Sequence, residues 1–176
     1  NKALAIKPDY ADAYSNMGNV LAAKGQLEEA IEAYNKALAI KPNFAEAYNN
    51  MGNALVDQGK LEEVIEAYNK ALAIKPDYET ARAAKLHQLA YICDWDSISE
   101  DRKLIPGLGT SKNFITPFSM LSLEDAPERH RLRSQTYAKA KYPQKPLPSS
   151  AKPSKKPKRI KLGYFSSYFR QHPVSI

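Results

Sequence analysis

Residues 11–44 are repeated almost letter for letter as residues 45–78. Sliding the chain by 34 places Tyr14 on Tyr48, Met17 on Met51, Gly18 on Gly52, Leu21 on Leu55 and Gly25 on Gly59. The same shift places Ala30 on Val64, Tyr34 on Tyr68, Ala37 on Ala71 and Pro42 on Pro76. Within each unit, apolar or small residues fall at helical spacing in two runs, predicting helices over 11–24 and 27–40, then over 45–58 and 61–74. A period of this length with two helices per unit marks a stacked helix-turn-helix array. Gly18 and Gly52 sit mid-helix, where glycine costs roughly 1 kcal/mol relative to alanine. A cost repeated in register implies that two helices approach too closely for a β-carbon. Gly25 and Gly59 fall where first helices end, as expected of a position with positive φ. Pro42 and Pro76 stop the second helices.

These residues resemble the tetratricopeptide repeat, and the resemblance covers about the first half of the chain. The expected fold is mainly α, an α-solenoid of such repeats. Asn1–Pro8 matches residues 35–42 and 69–76. The chain is therefore expected to begin inside the second helix of a unit, with a partial repeat over 1–10 and any targeting segment upstream. Residues 79–92 take the place of a further first helix. There Arg82 stands for Tyr48, Lys85 for Met51 and Leu86 for Gly52, so this segment is expected to cap the array, which spans 1–92, and to dock on something else.

In tetratricopeptide arrays the first helices line the concave face. Asn16 and Asn50 fall six residues into their units, and Asn19 and Asn53 fall nine in. Spacings of three put each pair on one helical face, and spacings of 34 stack the pairs. Asparagine is a poor interior helix former, yet its amide both donates and accepts and so can read a peptide backbone without reading sequence. Asn16, Asn19, Asn50 and Asn53 are therefore candidate peptide-binding residues, the partners being proteins or extended peptide segments. The alternative is hydrogen bonding within each repeat. Many such arrays clamp a C-terminal carboxylate with Lys and Arg. Ser15, Asn19, Asn49 and Asn53 occupy the corresponding positions here, which argues against that use.

Charge is unevenly spread. Residues 1–92 carry a net −2, residues 93–142 a net +1, and residues 143–176 hold eight Lys and Arg with no acidic residue. The basicity thus belongs to the end of the chain and reads as a solvated linker rather than a nucleic-acid surface. One cysteine, Cys93, excludes an internal disulfide and fits a reducing, cytoplasmic setting. No apolar run reaches the roughly 18 residues of a membrane span, so no membrane partner is expected. Oligomeric state is not encoded in any readable pattern.

Residues 93–142 form a helical connector. Ser97 and Ser99 are candidate caps for a short helix running to about Ile105. Asp125 and Glu128 have capping-box spacing and open a basic helix reaching about Lys141. Its residues Arg129, Arg131, Arg133, Lys139 and Lys141 read as a wet surface. Neither His87 nor His130 has metal-ligand spacing to Cys93. Cys93 reads as a small buried residue and Trp95 as a packing anchor; no metal or cofactor is expected. Residues 143–158 hold five prolines and five lysines without apolar periodicity, predicting an extended, disordered Lys/Pro linker. Residues 159–166 alternate charged and apolar and then turn apolar, predicting a strand.

Two stretches carry a second resemblance. Cys93-Asp94-Trp95 directly after the repeats, then Pro117-Phe118, Leu121 and Asp125-x-Pro127-Glu128, is similar to the region joining repeats to catalytic domain in the O-GlcNAc transferase family, the bacterial and SPINDLY-like members especially. Gly163-Tyr164-Phe165-Ser166-Ser167, Phe169 and His172-Pro173 resemble the opening of that family's catalytic domain. Tyr168 stands where many members have Asp, and Ile176 where some have a second His. The resemblance implies that 159–176 begins an otherwise missing Rossmann-like GT-B domain. It also implies that the full-length protein transfers N-acetylglucosamine from UDP-GlcNAc to Ser and Thr of proteins without a metal, or fucose as SPINDLY-type enzymes do. It matches His172 to a histidine that faces the reaction cleft as base or positioning group. One strand cannot hold a nucleotide-sugar, so this chain alone is expected to lack transferase activity. The alternative expectation is a non-enzymatic adaptor.

Overall fold

The computed structural model describes residues 10–110, 113 and 115–142. The partial repeat before Tyr10, the Lys/Pro linker, the expected strand and His172 lie outside the described residues.

Four helices build the two full repeats: α1 Ala11–Ala23, α2 Leu27–Ile40, α3 Ala45–Asp57 and α4 Leu61–Ile74. Each agrees with the sequence expectation to within one residue. Gly25 and Gly59 adopt φ of +78° and +72°. This lets the next amide return to the helix, Gln26 N to Leu21 O at 3.0 Å and Lys60 N to Leu55 O at 3.2 Å. Successive helices pack as antiparallel neighbours, α1 on α2, α2 on α3 and α3 on α4. Alanines at the crossings, Ala30, Ala37 and Ala71, have no exposed surface, and larger side chains such as Phe44, Leu55 and Leu72 fill the space between repeats.

The mid-helix glycines answer to one side chain each. A β-carbon on Gly18 would lie 2.5 Å from Tyr34 Cε1, and one on Gly52 would lie 2.6 Å from Tyr68 Cε1. The tyrosine ring of each second helix packs against the backbone of its own first helix, and only glycine leaves room for it.

α5, Glu79–Tyr91, stands where a third first helix would begin. Its departures from the repeat pattern all face the connector. Arg82 ion-pairs with Asp101 and donates to Pro76 O at 2.7 Å. Lys85 Nζ lies 3.9 Å from Asp101 Oδ2. Leu86, fully buried, joins Leu89, Ile98, Ile105, Leu108 and Met120 in one apolar cluster. Glu79 accepts a hydrogen bond from Gly109 N at 3.0 Å.

The connector continues as α6, Trp95–Asp101, a 3-10 helix Arg102–Gly107, a second 3-10 helix Pro117–Met120, and α7, Pro127–Lys141. Several local expectations are corrected here. Ser97 and Ser99 do not cap α6. Asp94 does, accepting from Ser97 N at 3.1 Å and from Ser97 Oγ at 2.7 Å, while Ser99 Oγ bonds back to Asp96 O. The Ser97 bonds, more than offsetting slight burial, hold the Asp94 carboxyl below its ordinary range. Cys93 is exposed rather than buried. It takes φ 59° in the turn that closes α5, where Asp94 N returns to Leu89 O at 2.9 Å, and this geometry directs its side chain outward. Trp95 is 53% exposed, because it opens α6 on the solvent side of that corner. α7 has no capping box; Pro127 supplies its first turn and Ala126 precedes it. Arg133 is not on a wet surface but has no exposed area at all. It donates from Nε to Leu108 O and from Nη2 to Ile105 O, both at 2.8 Å, and pairs with Glu124. Those carbonyls lie at the end of a 3-10 helix, where Ile105 O also accepts from Leu108 N at 3.2 Å. Arg133 thereby pins α7 to the rest of the connector.

Candidate functional site

The first helices carry the four asparagines, and hydrogen bonds show how Asn19, Asn50 and Asn53 are used. Tyr34 donates from its hydroxyl to Asn19 Oδ1 at 2.8 Å, and Tyr68 donates to Asn53 Oδ1 at 2.8 Å. Burial raises the pKa of the Tyr34 phenol above its ordinary value. Burial, with the Asp57 charge nearby, pushes that of Tyr68 up much further. Both phenols therefore stay protonated and act as donors at any ordinary pH. Glycine, asparagine and tyrosine form one device in each repeat: glycine admits the ring, and the ring delivers its hydroxyl to the neighbouring amide.

A second set of bonds runs between repeats. Asn50 Nδ2 donates to Asn19 Oδ1 at 2.9 Å, and Asn49 Nδ2 donates to Asn50 Oδ1 at 3.2 Å. Asn19 Oδ1 thus accepts twice, from its own repeat and from the next. Asn49 is buried, and its Oδ1 has no partner.

Hydrogen bonding within and between the repeats, the alternative weighed for these asparagines, is therefore present at Asn19, Asn50 and Asn53. The oxygens of Asn19, Asn50 and Asn53 serve the scaffold. The amide nitrogens of Asn19 and Asn53, and the whole exposed side chain of Asn16, make no hydrogen bond among the described residues. What the face offers outward is mainly N–H. An extended polypeptide, whose carbonyls project at regular intervals, is the kind of acceptor such donors fit.

The row continues beyond the residues that sequence reasoning singled out. Thirty-four positions after Asn53 comes His87, on α5, and after Asn50 comes Ala84. The first-helix register carried that signal, but it was hidden because Leu86 replaces the glycine and no tyrosine follows at the matching place. At His87 the face meets the connector. A cavity of about 510 Å³ opens there, lined by Asn53, Val56, Ala84, His87, Ile115 and Phe118 among others, with Asp57 and Lys141 also contributing. The Phe118 ring stands edge-on to His87, centroids 6.4 Å apart and planes at 70°. His87 Nδ1 is enclosed without a hydrogen-bond partner.

Among the described residues no cluster of His, Cys, Asp or Glu could hold a metal ion. No described helix is long and apolar enough to cross a membrane. No curated protein matches the chain. Residues 1–25 and 18–59 match the family described as TPR repeat, and residues 45–78 match the family described as tetratricopeptide repeat; both matches end before α5. The segment from residue 1 to residue 78 is thus built of tetratricopeptide repeats, a kind of repeat that typically binds proteins or peptides.

Proposed function

We propose that the repeats hold an extended polypeptide segment along the row of Asn16, Asn19, Asn50 and Asn53, on the concave face of the array. The observation that carries this reading is the allocation of the amide groups. The oxygens of Asn19, Asn50 and Asn53 are taken up inside the protein, while the Asn19 and Asn53 nitrogens point to no internal partner. Donors set one repeat apart suit main-chain carbonyls and select little for side-chain identity.

The test is binding of the chain to a panel of fluorescent unstructured polypeptides, read by anisotropy, with Asn19→Asp and Asn53→Asp combined, which keep the oxygens that Tyr34 and Tyr68 bond and remove the N–H donors. Each lost net hydrogen bond is worth about 1 kcal/mol, so affinity falls roughly five- to thirtyfold while helicity is retained. Unchanged affinity across the panel would refute the reading.

A finer proposal concerns the protein to which this segment belongs. The motif run from Cys93-Asp94-Trp95 to His172-Pro173 favours the repeat and connector portion of an O-GlcNAc transferase-like enzyme. In that protein the asparagine row would lead Ser- or Thr-bearing chains towards a UDP-GlcNAc site, with His172 near the acceptor. The coding sequence beyond Ile176 tests it. A long α/β region, and sugar transfer from UDP-GlcNAc by the longer product, are expected. An immediate stop codon would leave the adaptor reading in its place.

A further inference from the structure

The asparagine row explains how a chain could be held, but not how one sequence could be preferred over another. The cavity at its end has the features the row lacks. Its walls come from both parts of the molecule: Val56 and Ala84 from the repeats' side, Ile115 and Phe118 from the connector. Phe118 is 71% exposed, whereas its neighbours Ile115 and Met120 are buried in the connector cluster. The 3-10 helix Pro117–Met120 therefore sends one apolar side chain into the core and turns a second out against His87. Exposed alone, such a ring would need no explanation, but Phe118 lines a cavity together with Val56, Ala84 and Ile115, and an aromatic ring at a cavity mouth offers a large apolar contact area.

Three observations narrow what covers it. The cavity is continuous with the asparagine face, since Asn53 lines both. Its charged lining residues, Asp57 and Lys141, are of opposite sign, so neither an acidic nor a basic side chain is favoured. Its volume of about 510 Å³ exceeds what one large side chain needs.

We propose that this cavity seats one large uncharged apolar side chain, aromatic or long aliphatic, of the polypeptide lying on the asparagine row. The connector, through Phe118, then supplies the sequence preference that the amides do not. This inference rests on the peptide-binding reading above. It differs from that reading in predicting a preferred residue at one fixed register.

The experiment uses the full 176-residue chain. Pools of unstructured peptides, each with one position fixed, are bound to the wild-type chain and to Phe118→Ala. Because Phe118 is exposed, the variant is expected to fold, and its thermal melt checks this. The wild type should enrich Phe, Tyr, Trp, Leu or Met at a single position. Replacing that residue by Ala in the best peptide should weaken binding at least tenfold. Phe118→Ala should weaken the best peptide by about tenfold and leave the Ala-containing peptide unchanged. Phe118→Leu should restore part of the preference, and Leu121→Ala, another exposed residue of the same segment but outside the cavity lining, should not alter it.

Binding without positional preference, or a preference that survives Phe118→Ala, overturns the pocket and leaves the asparagine reading standing. Failure of every pool to bind overturns both. Self-association of the wild type that Phe118→Ala abolishes assigns the cavity to a second copy and also overturns the proposal.

Discussion

Gly18→Ala is the sharpest test of how this fold is held together, because helix propensity and packing predict opposite signs. In an exposed helix interior the change would stabilise by about 0.8–1.0 kcal/mol. Here the new β-carbon would sit 2.5 Å from Tyr34 Cε1 and 2.8 Å from both Cδ1 and Cζ. Three ring atoms lie well inside contact distance, and the ring is buried, so it cannot swing into solvent. Overpacking of this kind costs about 1–3 kcal/mol. Displacing the ring also strains the Tyr34–Asn19 hydrogen bond, worth about 0.5–1.5 kcal/mol. The net expectation is destabilisation by about 2 kcal/mol, a fall in melting temperature of roughly 4–8 °C for a chain of this size. Urea unfolding followed by circular dichroism gives the value. The decisive arm is a double-mutant cycle with Tyr34→Val, which removes all three clashing atoms. In that background Gly18→Ala should become stabilising by up to about 1 kcal/mol. If Gly18→Ala is neutral or stabilising in the wild type, or if its sign is the same in both backgrounds, the close approach is not what places glycine here. The pair Gly52 and Tyr68, with a separation of 2.6 Å, offers the same cycle one repeat later.

Two further outcomes follow from the connector. Arg133→Met keeps the apolar stem but removes the donors to Ile105 O and Leu108 O and the ion pair with Glu124; breaking so buried a network should cost about 3–5 kcal/mol, seen as early loss of α7 protection in hydrogen exchange. Cys93→Gly relieves a left-handed residue, at φ 59°, whose strain is about 1–2 kcal/mol. Set against the extra freedom glycine gives the unfolded chain, about 0.4–1 kcal/mol, the net should be a gain of about 0.5–1 kcal/mol in urea unfolding.

The repeats were legible because their signals are local and periodic. Helix ends follow from Gly25, Gly59, Pro42 and Pro76, and the core follows from spacings that any single repeat displays. The repeated mid-helix glycines signalled a close approach at Gly18 and Gly52, but not its kind: the expected contact was between two helices, and the atoms that come close are the side chains of Tyr34 and Tyr68. The connector was less legible, for a physical reason. Its organising groups act across distances no local pattern encodes: Arg133 satisfies carbonyls 25 and 28 residues away, and Arg82 reaches Asp101. A basic run such as that of α7 looks like a solvated face until the carbonyls that one arginine serves are located. Cys93 misled in the opposite direction, since a small apolar residue is ordinarily inside; here the turn conformation, not hydrophobicity, sets its place. Asp94 was overlooked as a cap because two serines stood nearby, yet only Asp94 precedes the first turn.

If polypeptide lies on the asparagine row as proposed, stability and binding are not separable in these repeats. A row of amides free to donate and accept would bind a peptide in many registers and orientations. Tyr34 and Tyr68 remove that freedom by occupying the oxygens of Asn19 and Asn53, and Asn50 adds a second donor to Asn19 from the next repeat. The amides of Asn19 and Asn53 are thereby held by their oxygens, and their nitrogens make no hydrogen bond among the described residues. The tyrosine that does this is the one the glycine admits, so the packing that joins the two helices of a repeat also sets the hydrogen-bonding sense of its surface. At α5 the device ends in all three members at once. Leu86 replaces the glycine, His87 the asparagine, and Arg102 stands where a third tyrosine would fall. The leucine fills the core that the connector shares, and the histidine meets Phe118 at the cavity. The three substitutions that break the repeat pattern thus coincide with the cavity, and on the proposal above they turn a surface that repeats into one that distinguishes.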